Sequence, residues 1–92
     1  MEKNFRCRSG EIDLIAQEGK YLVFIEVKYR RNAGSGSSVS AVGREKQRII
    51  SRVAVFYMLT HGYREETPCR FDVVGIDGKE VHWIKNAFDF CG

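Results

Sequence analysis

The chain has 92 residues, a length that permits one domain (1–92) with one modest core. Its 43% apolar content and single proline argue against disorder, and a formal charge of +3 is too mild to mark a nucleic-acid binder by itself. Cys7, Cys69 and Cys91 are odd in number, scattered and without a C-x-x-C pair, which argues against both a disulfide framework and a zinc site. Reduced thiols in a cytoplasmic protein are the expectation. No stretch reads as a signal peptide, a membrane span or an internal repeat.

Met1 to Ser9 is a polar lead-in whose Lys3, Arg6 and Arg8 either flank a strand in solvent or touch a phosphate backbone. Gly10 to Gln17 and Tyr21 to Arg30 read as two strands joined by a tight turn. Alternation puts Glu11, Asp13 and Ile15 on one side of the first strand, and Phe24, Glu26 and Lys28 on one side of the second. A two-residue turn pairs odd positions with even ones, so Glu11, Asp13, Glu26 and Lys28 are expected to crowd onto one face; a three-residue turn would separate them. Clustered carboxylates repel and lose solvation when buried, and a divalent cation relieves both costs. Mg²⁺ takes hard oxygen ligands, commonly one or two carboxylates with water and phosphate, while a nearby lysine can orient a water or offset phosphoryl charge. The alternative is an ordinary salt-bridged strand face. The apolar run Leu22 to Ile25 before Glu26 predicts a mostly buried strand, in which charges need a reason.

Tyr29, Arg30 and Arg31 either suit nucleic acid beside such a site or solubilise a strand end. Asn32 to Ser40 is rich in Gly and Ser and reads as a mobile connector without a P-loop ending. A helix follows from about Gly43 to Thr60, with Ser40 or Gly43 as cap. Val42, Ile49, Ile50, Val53, Ala54, Phe56 and Tyr57 share one side, and Arg44, Arg48 and Arg52 line the other. Lys46 falls within the apolar side, so its amine needs a partner or an exit to solvent. Val55, Met58 and Leu59 make the second half apolar nearly all round, which predicts burial on more than one side through contact with another copy, a homo-oligomer. His61 reads as a helix end-cap. Arg70 to Ile76 is a third strand, Asp77-Gly78 a turn, and Glu80 to Ile84 its partner. Asp72 either pairs with Arg70 or binds metal. His82 and Trp83 pack or fringe the sheet, and the aromatic tail through Phe88 and Phe90 docks on the body.

Asp13 followed by Glu26-Val27-Lys28 on an adjacent strand resembles the PD-(D/E)xK signature of the restriction-endonuclease-like superfamily. More narrowly, NFRCRSGEIDLIA, LVFIEVKYR, the V-x-x-x-K-Q-R-x-I of Val42 to Ile50, RFDVVGI and the terminal NAF resemble the bacterial YraN-like proteins, themselves similar to archaeal Holliday junction resolvases. The resemblance implies an α/β domain, a mixed sheet of about four to five strands with one long helix. It also implies a Mg²⁺- or Mn²⁺-dependent endonuclease acting on DNA, with branched, Holliday-junction-like DNA among its candidate substrates. By the resemblance Asp13 and Glu26 would be the metal ligands and Lys28 the catalytic lysine; by their places in the chain Glu11 is expected as an outer or second-metal contact, and Lys46, Arg30 and Arg31 as nucleic-acid contacts. YraN-like chains usually begin with a helix ahead of the first strand. Here Met1 stands just before Asn4-Phe5-Arg6, so that helix and the acidic residue it often brings are expected to be missing. A DNA- or RNA-binding module without chemistry, or a partner subunit completed by another chain, are the alternatives.

Overall fold

A computed structural model describes residues 2–30 and 42–90, apart from the Arg30 side chain. Arg31, the connector from Asn32 to Ser40 and Cys91 lie outside the described residues. The elements are β1 (Glu2–Cys7), β2 (Gly10–Glu18), β3 (Tyr21–Arg30), α1 (Arg44–Thr60), β4 (Cys69–Asp77) and β5 (Glu80–Phe88). They build one five-stranded sheet in chain order, β1-β2-β3-β4-β5. Every neighbouring pair is antiparallel except β3–β4. Parallel strands cannot be joined by a tight turn, and the connection that holds α1 is the crossover this pair requires. The expected α/β class, mixed sheet and single long helix are all observed.

The polar lead-in is itself a strand. β1 lies at one edge of the sheet, held by its ladder with β2. At the other edge, β5 runs four residues beyond Ile84 to Phe88, and its turn is Gly78-Lys79, with Asp77 closing β4. The β2–β3 turn is the two-residue Gly19-Lys20, giving the odd-to-even register Leu14↔Ile25 and Ile15↔Phe24.

α1 covers one face of the sheet over β1 and β2. Ile50, Val53, Ala54, Tyr57 and Met58 meet Ile12, Ile15, Leu22, Phe24 and Phe71 to form the core, and Phe5 sets its ring edge against Tyr57 at 5.0 Å. Gly43 is the N-cap, and His61 closes the helix with Nδ1 donating to the Tyr57 carbonyl at 2.9 Å. Among the described residues nothing covers the far side of the helix, where Val55, Phe56 and Leu59 are exposed; the expected places of Phe56 (inward) and Met58 (outward) are exchanged, Met58 lying in the core. The aromatic tail docks as expected, with Phe88 and Phe90 packed on Phe71 at 4.9 and 4.8 Å between ring centres.

At Gly10 the sheet and the helix lie too close for a side chain. Its φ is +152°, and a Cβ there would lie 2.6 Å from Ile49 Cγ2. Gly10→Ala is therefore expected to cost about 1–3 kcal/mol through overpacking, measurable as a lowered midpoint in urea.

Asp72 is wholly buried, and its carboxylate accepts from Arg70 Nε at 3.0 Å, Arg70 Nη2 at 3.3 Å, Trp83 Nε1 at 2.9 Å and the Asn86 N–H at 2.9 Å. The last bond depends on an irregularity. The β4–β5 register shifts between Phe71 and Val73, and Asn86 adopts a φ of 55°, tolerated by asparagine. Asp72 is thus the structural partner of Arg70, the first of its two sequence readings. Asp72→Ala should destabilise the fold by about 1–3 kcal/mol, because it removes the acceptor of the Trp83 and Asn86 N–H donors and leaves the Arg70 guanidinium with Glu18 as its ion-pair partner. A thermal melt beside wild type checks this.

Candidate metal centre at the fork of the sheet

In the β1–β2 pair strand alternation breaks at one place. Lys3 pairs with Leu14 and Phe5 with Ile12, while Asn4 and Asp13 between them make no ladder pair, and Asn4 has a φ of 51°. Two residues on β2 that alternation would set on opposite faces, Ile12 and Ile15, therefore both enter the core beneath α1. The β2–β3 ladder runs from Glu18↔Tyr21 to Leu14↔Ile25 and stops there, whereas the β3–β4 ladder continues through Glu26↔Val73 to Arg30↔Asp77. Beyond Leu14, then, β2 follows β1 and β3 follows β4. The sheet forks, and Asp13 and Glu26 are the first residues on its two inner sides.

Asp13 bridges the fork, its Oδ2 accepting the Val27 backbone N–H at 2.8 Å. That bond replaces a ladder partner which β3 loses where the strands part. Glu26 is only 6% exposed. Lys46 reaches it from the first turn of α1, with Nζ 3.5 Å from Oε2. This answers what an inward lysine does there: it neutralises a buried carboxylate while its chain stays 45% exposed. Burial, then the charge of Asp13, raise the Glu26 carboxyl above its ordinary value, against the opposing pull of Lys46 and Lys28; a hydrogen bond with Asp13 adds to the rise. Asp13, Lys28 and Lys46 thus all act on Glu26.

Glu11 does not join them. Its neighbours Gly10 and Ile12 face the helix, so Glu11 points to the opposite side, where it pairs with Arg6 at 3.3 Å. The expected crowding of four charged residues on one face is corrected to Asp13, Glu26 and Lys28, and the cause is the break at Asn4 and Asp13. The Arg30 side chain and Arg31 lie outside the described residues. Two features escape a reading of the sequence: the Val27 N–H, which carries no residue-type signal, and a cavity of about 400 Å³ behind Asp13, lined by Lys3, Asn4, Leu14, Val27 and Tyr29.

The profile of the Uncharacterised protein family UPF0102 matches residues 1–76, the span from β1 through β4 that holds the whole fork. The chain belongs to the UPF0102 family. A UPF0102 protein of Lachnoclostridium phytofermentans is 50% identical over 92 residues, covering 100% of this chain and 78% of the relative. One from Legionella pneumophila (strain Corby) is 46% identical over 89 residues, 95% of this chain and 75% of the relative. Another from Janthinobacterium sp. (strain Marseille) is 44% identical over 89 residues, 97% and 71%.

As a cation site, the UPF0102 fork offers two hard carboxylates, with Glu26 raised by its burial first and by repulsion from Asp13 second. Among the described residues no group of three or more His, Cys, Asp and Glu side chains comes together. A cation held by Asp13 and Glu26 would draw its remaining ligands from water and phosphate, the usual habit of Mg²⁺. The donor set fits. Cys7 and Cys69 are free thiols away from it, and His82 faces Asp77 and Glu80 at 3.7 and 3.5 Å. No helix among the described residues is long and apolar enough to cross a membrane.

The raised Glu26 carboxyl has a consequence for stability. The native protein takes up this proton before the unfolded chain does as pH falls, so the ionised form costs stability at neutral pH. That cost vanishes as pH drops through the raised value toward 4.5. Glu26→Gln should therefore melt higher than wild type at neutral pH in EDTA, and the gap should close in acid. Each kcal/mol corresponds to about 4–8 °C in a domain of this size. Added Mg²⁺ should raise the wild-type midpoint and leave the variant unmoved.

Proposed function

We propose that this chain is a divalent-metal-dependent endonuclease of the PD-(D/E)xK type that hydrolyses phosphodiester bonds in DNA, with branched DNA as a candidate substrate. The observation that carries the reading is the meeting of Asp13 and Glu26 across the fork, with Glu26 buried and raised and two lysines beside it. A pair of repelling, half-sheltered carboxylates is poor economy for stability and good preparation for a cation. A bound Mg²⁺ or Mn²⁺ would supply Lewis-acid polarisation of a phosphate oxygen and a more acidic water.

The chain's own residues supply the rest. Asp13 is oriented by the Val27 N–H, which leaves its other oxygen free of that bond. Glu26 is held from the front by Lys46. Lys28, two residues along β3 and near enough to pull on the Glu26 carboxyl, is placed to orient an attacking water or to offset charge on the phosphoryl group. The exposed part of Lys46 and the side chains of Arg30 and Arg31 are proposed phosphate contacts; Glu11, turned away, is not assigned a role.

Cleavage of linear, single-stranded and four-way-junction DNA is expected with Mg²⁺ or Mn²⁺ and to be absent in EDTA. Asp13→Ala and Glu26→Ala should reduce it to background, and Lys28→Ala should lower the rate by about 10²–10³-fold if the lysine stabilises developing charge. The absence of a third carboxylate among the described residues favours a second reading, a nucleic-acid-binding module without chemistry. Binding with no metal-dependent cleavage in any of these substrates would select it.

A further inference from the structure

Among the described residues, α1 covers one face of the sheet and no helix lies on the other. The register sets its rows. Val27 stands beside Val74 and Val74 beside Trp83; one step further, Tyr29 stands beside Ile76 and Ile76 beside Val81. Half of this face is closed by its own side chains. Val23 and Ile25 are 2% and 7% exposed, beneath a polar roof in which Arg70 binds Glu18 at 2.8 Å and Lys85 binds Glu18 at 3.5 Å. The other half is open: Tyr29 is 77% exposed, Val81 65% and Trp83 52%.

The open half is built, not merely uncovered. Trp83 donates its indole N–H to the buried Asp72 at 2.9 Å, and the Lys85 ammonium sits 5.3 Å from its ring centre. A fully buried carboxylate thus fixes the attitude of a surface ring, and a cation flanks it. Tyr29, about 12 Å away by two strand spacings and two residues of rise, borders the cavity lined by Lys3, Leu14 and Asp13. An oriented tryptophan with an ammonium over its ring, and an exposed tyrosine that shares a cavity rim with Lys3, match bases joined by phosphates. Burial against a second copy of the chain fits less well, because interface cores are depleted of lysine and aspartate.

We propose that this open sheet face binds single-stranded nucleic acid, with Tyr29 and Trp83 stacking on bases and Lys3 and Lys85 meeting phosphates, and that it leads the strand to Asp13. The inference deepens the nuclease reading by naming the strand that reaches the fork, and it rests on that reading for the strand's destination. The stacking surface itself stands apart from the metal pair. A blunt duplex offers only its terminal base pairs without unpairing, so the face favours unpaired segments.

The chain holds one tryptophan, Trp83, so its emission reports directly on the proposed surface. The full chain in EDTA would be titrated with oligothymidine, with a blunt duplex of equal length for comparison. Saturable quenching by the single strand, weak or absent with duplex, is expected. Two phosphate contacts should give a shallow salt dependence, a log–log slope of about −1.4. Tyr29→Ala should weaken binding by roughly 5- to 150-fold, the range for loss of one stacked base, and Tyr29→Phe should retain it. Unchanged emission, equal response to duplex, or wild-type affinity in Tyr29→Ala would each overturn the proposal. So would a dimer in sedimentation that Tyr29→Ala dissociates, which would assign the face to a second copy. Glu26→Ala is expected to lose cleavage and keep single-strand binding, since Glu26 lies outside the stacking surface. Single-strand binding without cleavage in the wild type would keep the platform and remove the nuclease, whereas metal-dependent cleavage without single-strand binding would do the reverse.

Discussion

Everything that gives this domain a candidate chemistry depends on two neighbouring strands ceasing to pair while each remains held on its outer side. β2 keeps β1, and β3 keeps β4, so the fork costs little of the ladder. What it does cost is a hydrogen-bond partner for β3, and Asp13 supplies one by accepting the Val27 N–H. An orphaned buried N–H is expensive, so the same carboxylate that could hold a cation also holds the fork in shape. Asn4, opposite Asp13, makes this possible by taking a positive φ that β-branched residues resist.

The electrostatics of the fork are unbalanced by design of the chain. Glu26 is sheltered from water and faces another carboxylate, and two lysines only partly offset those costs. Lys46 couples the helix start to the site, so α1 does more than cover the core: its N-terminal turn places an ammonium beside the buried acid. Gly10 lets the helix come close enough to do so, because a side chain there would meet Ile49.

On the opposite face a second buried acid does a different job. Asp72 satisfies Arg70, Trp83 and the Asn86 backbone together, tying β4 to β5 through side chains where the register slips. One aspartate sits at the edge of a ladder and the other inside one, and that difference in placement separates a candidate ligand from a structural anchor. Residue type alone does not.

Residue pattern and turn chemistry determined a good deal. The runs of apolar residues and a tight-turn signal were enough for both central strands, but the length of that turn, and with it the odd-to-even register, was settled only by the structure, at Gly19-Lys20. Helical periodicity placed α1 within a residue of its observed start, and the inward Lys46 announced its need for a partner. The tertiary structure decided what depends on deviations from ideal geometry. The break at Asn4 and Asp13 sends Glu11 to the far face, and no local signal marks it. The lead-in became β1 because β2 offered a free edge to a polar segment of weak strand propensity. The union of Asp72 with Trp83 and Asn86 spans separations of 11 and 14 residues, and only the β4–β5 bulge brings them together. Periodicity is a property of neighbours along the chain and can be read there; a fork, a bulge and a shared carboxylate are settled between strands, where the lowest-cost way to satisfy every buried polar group is chosen by the whole sheet at once.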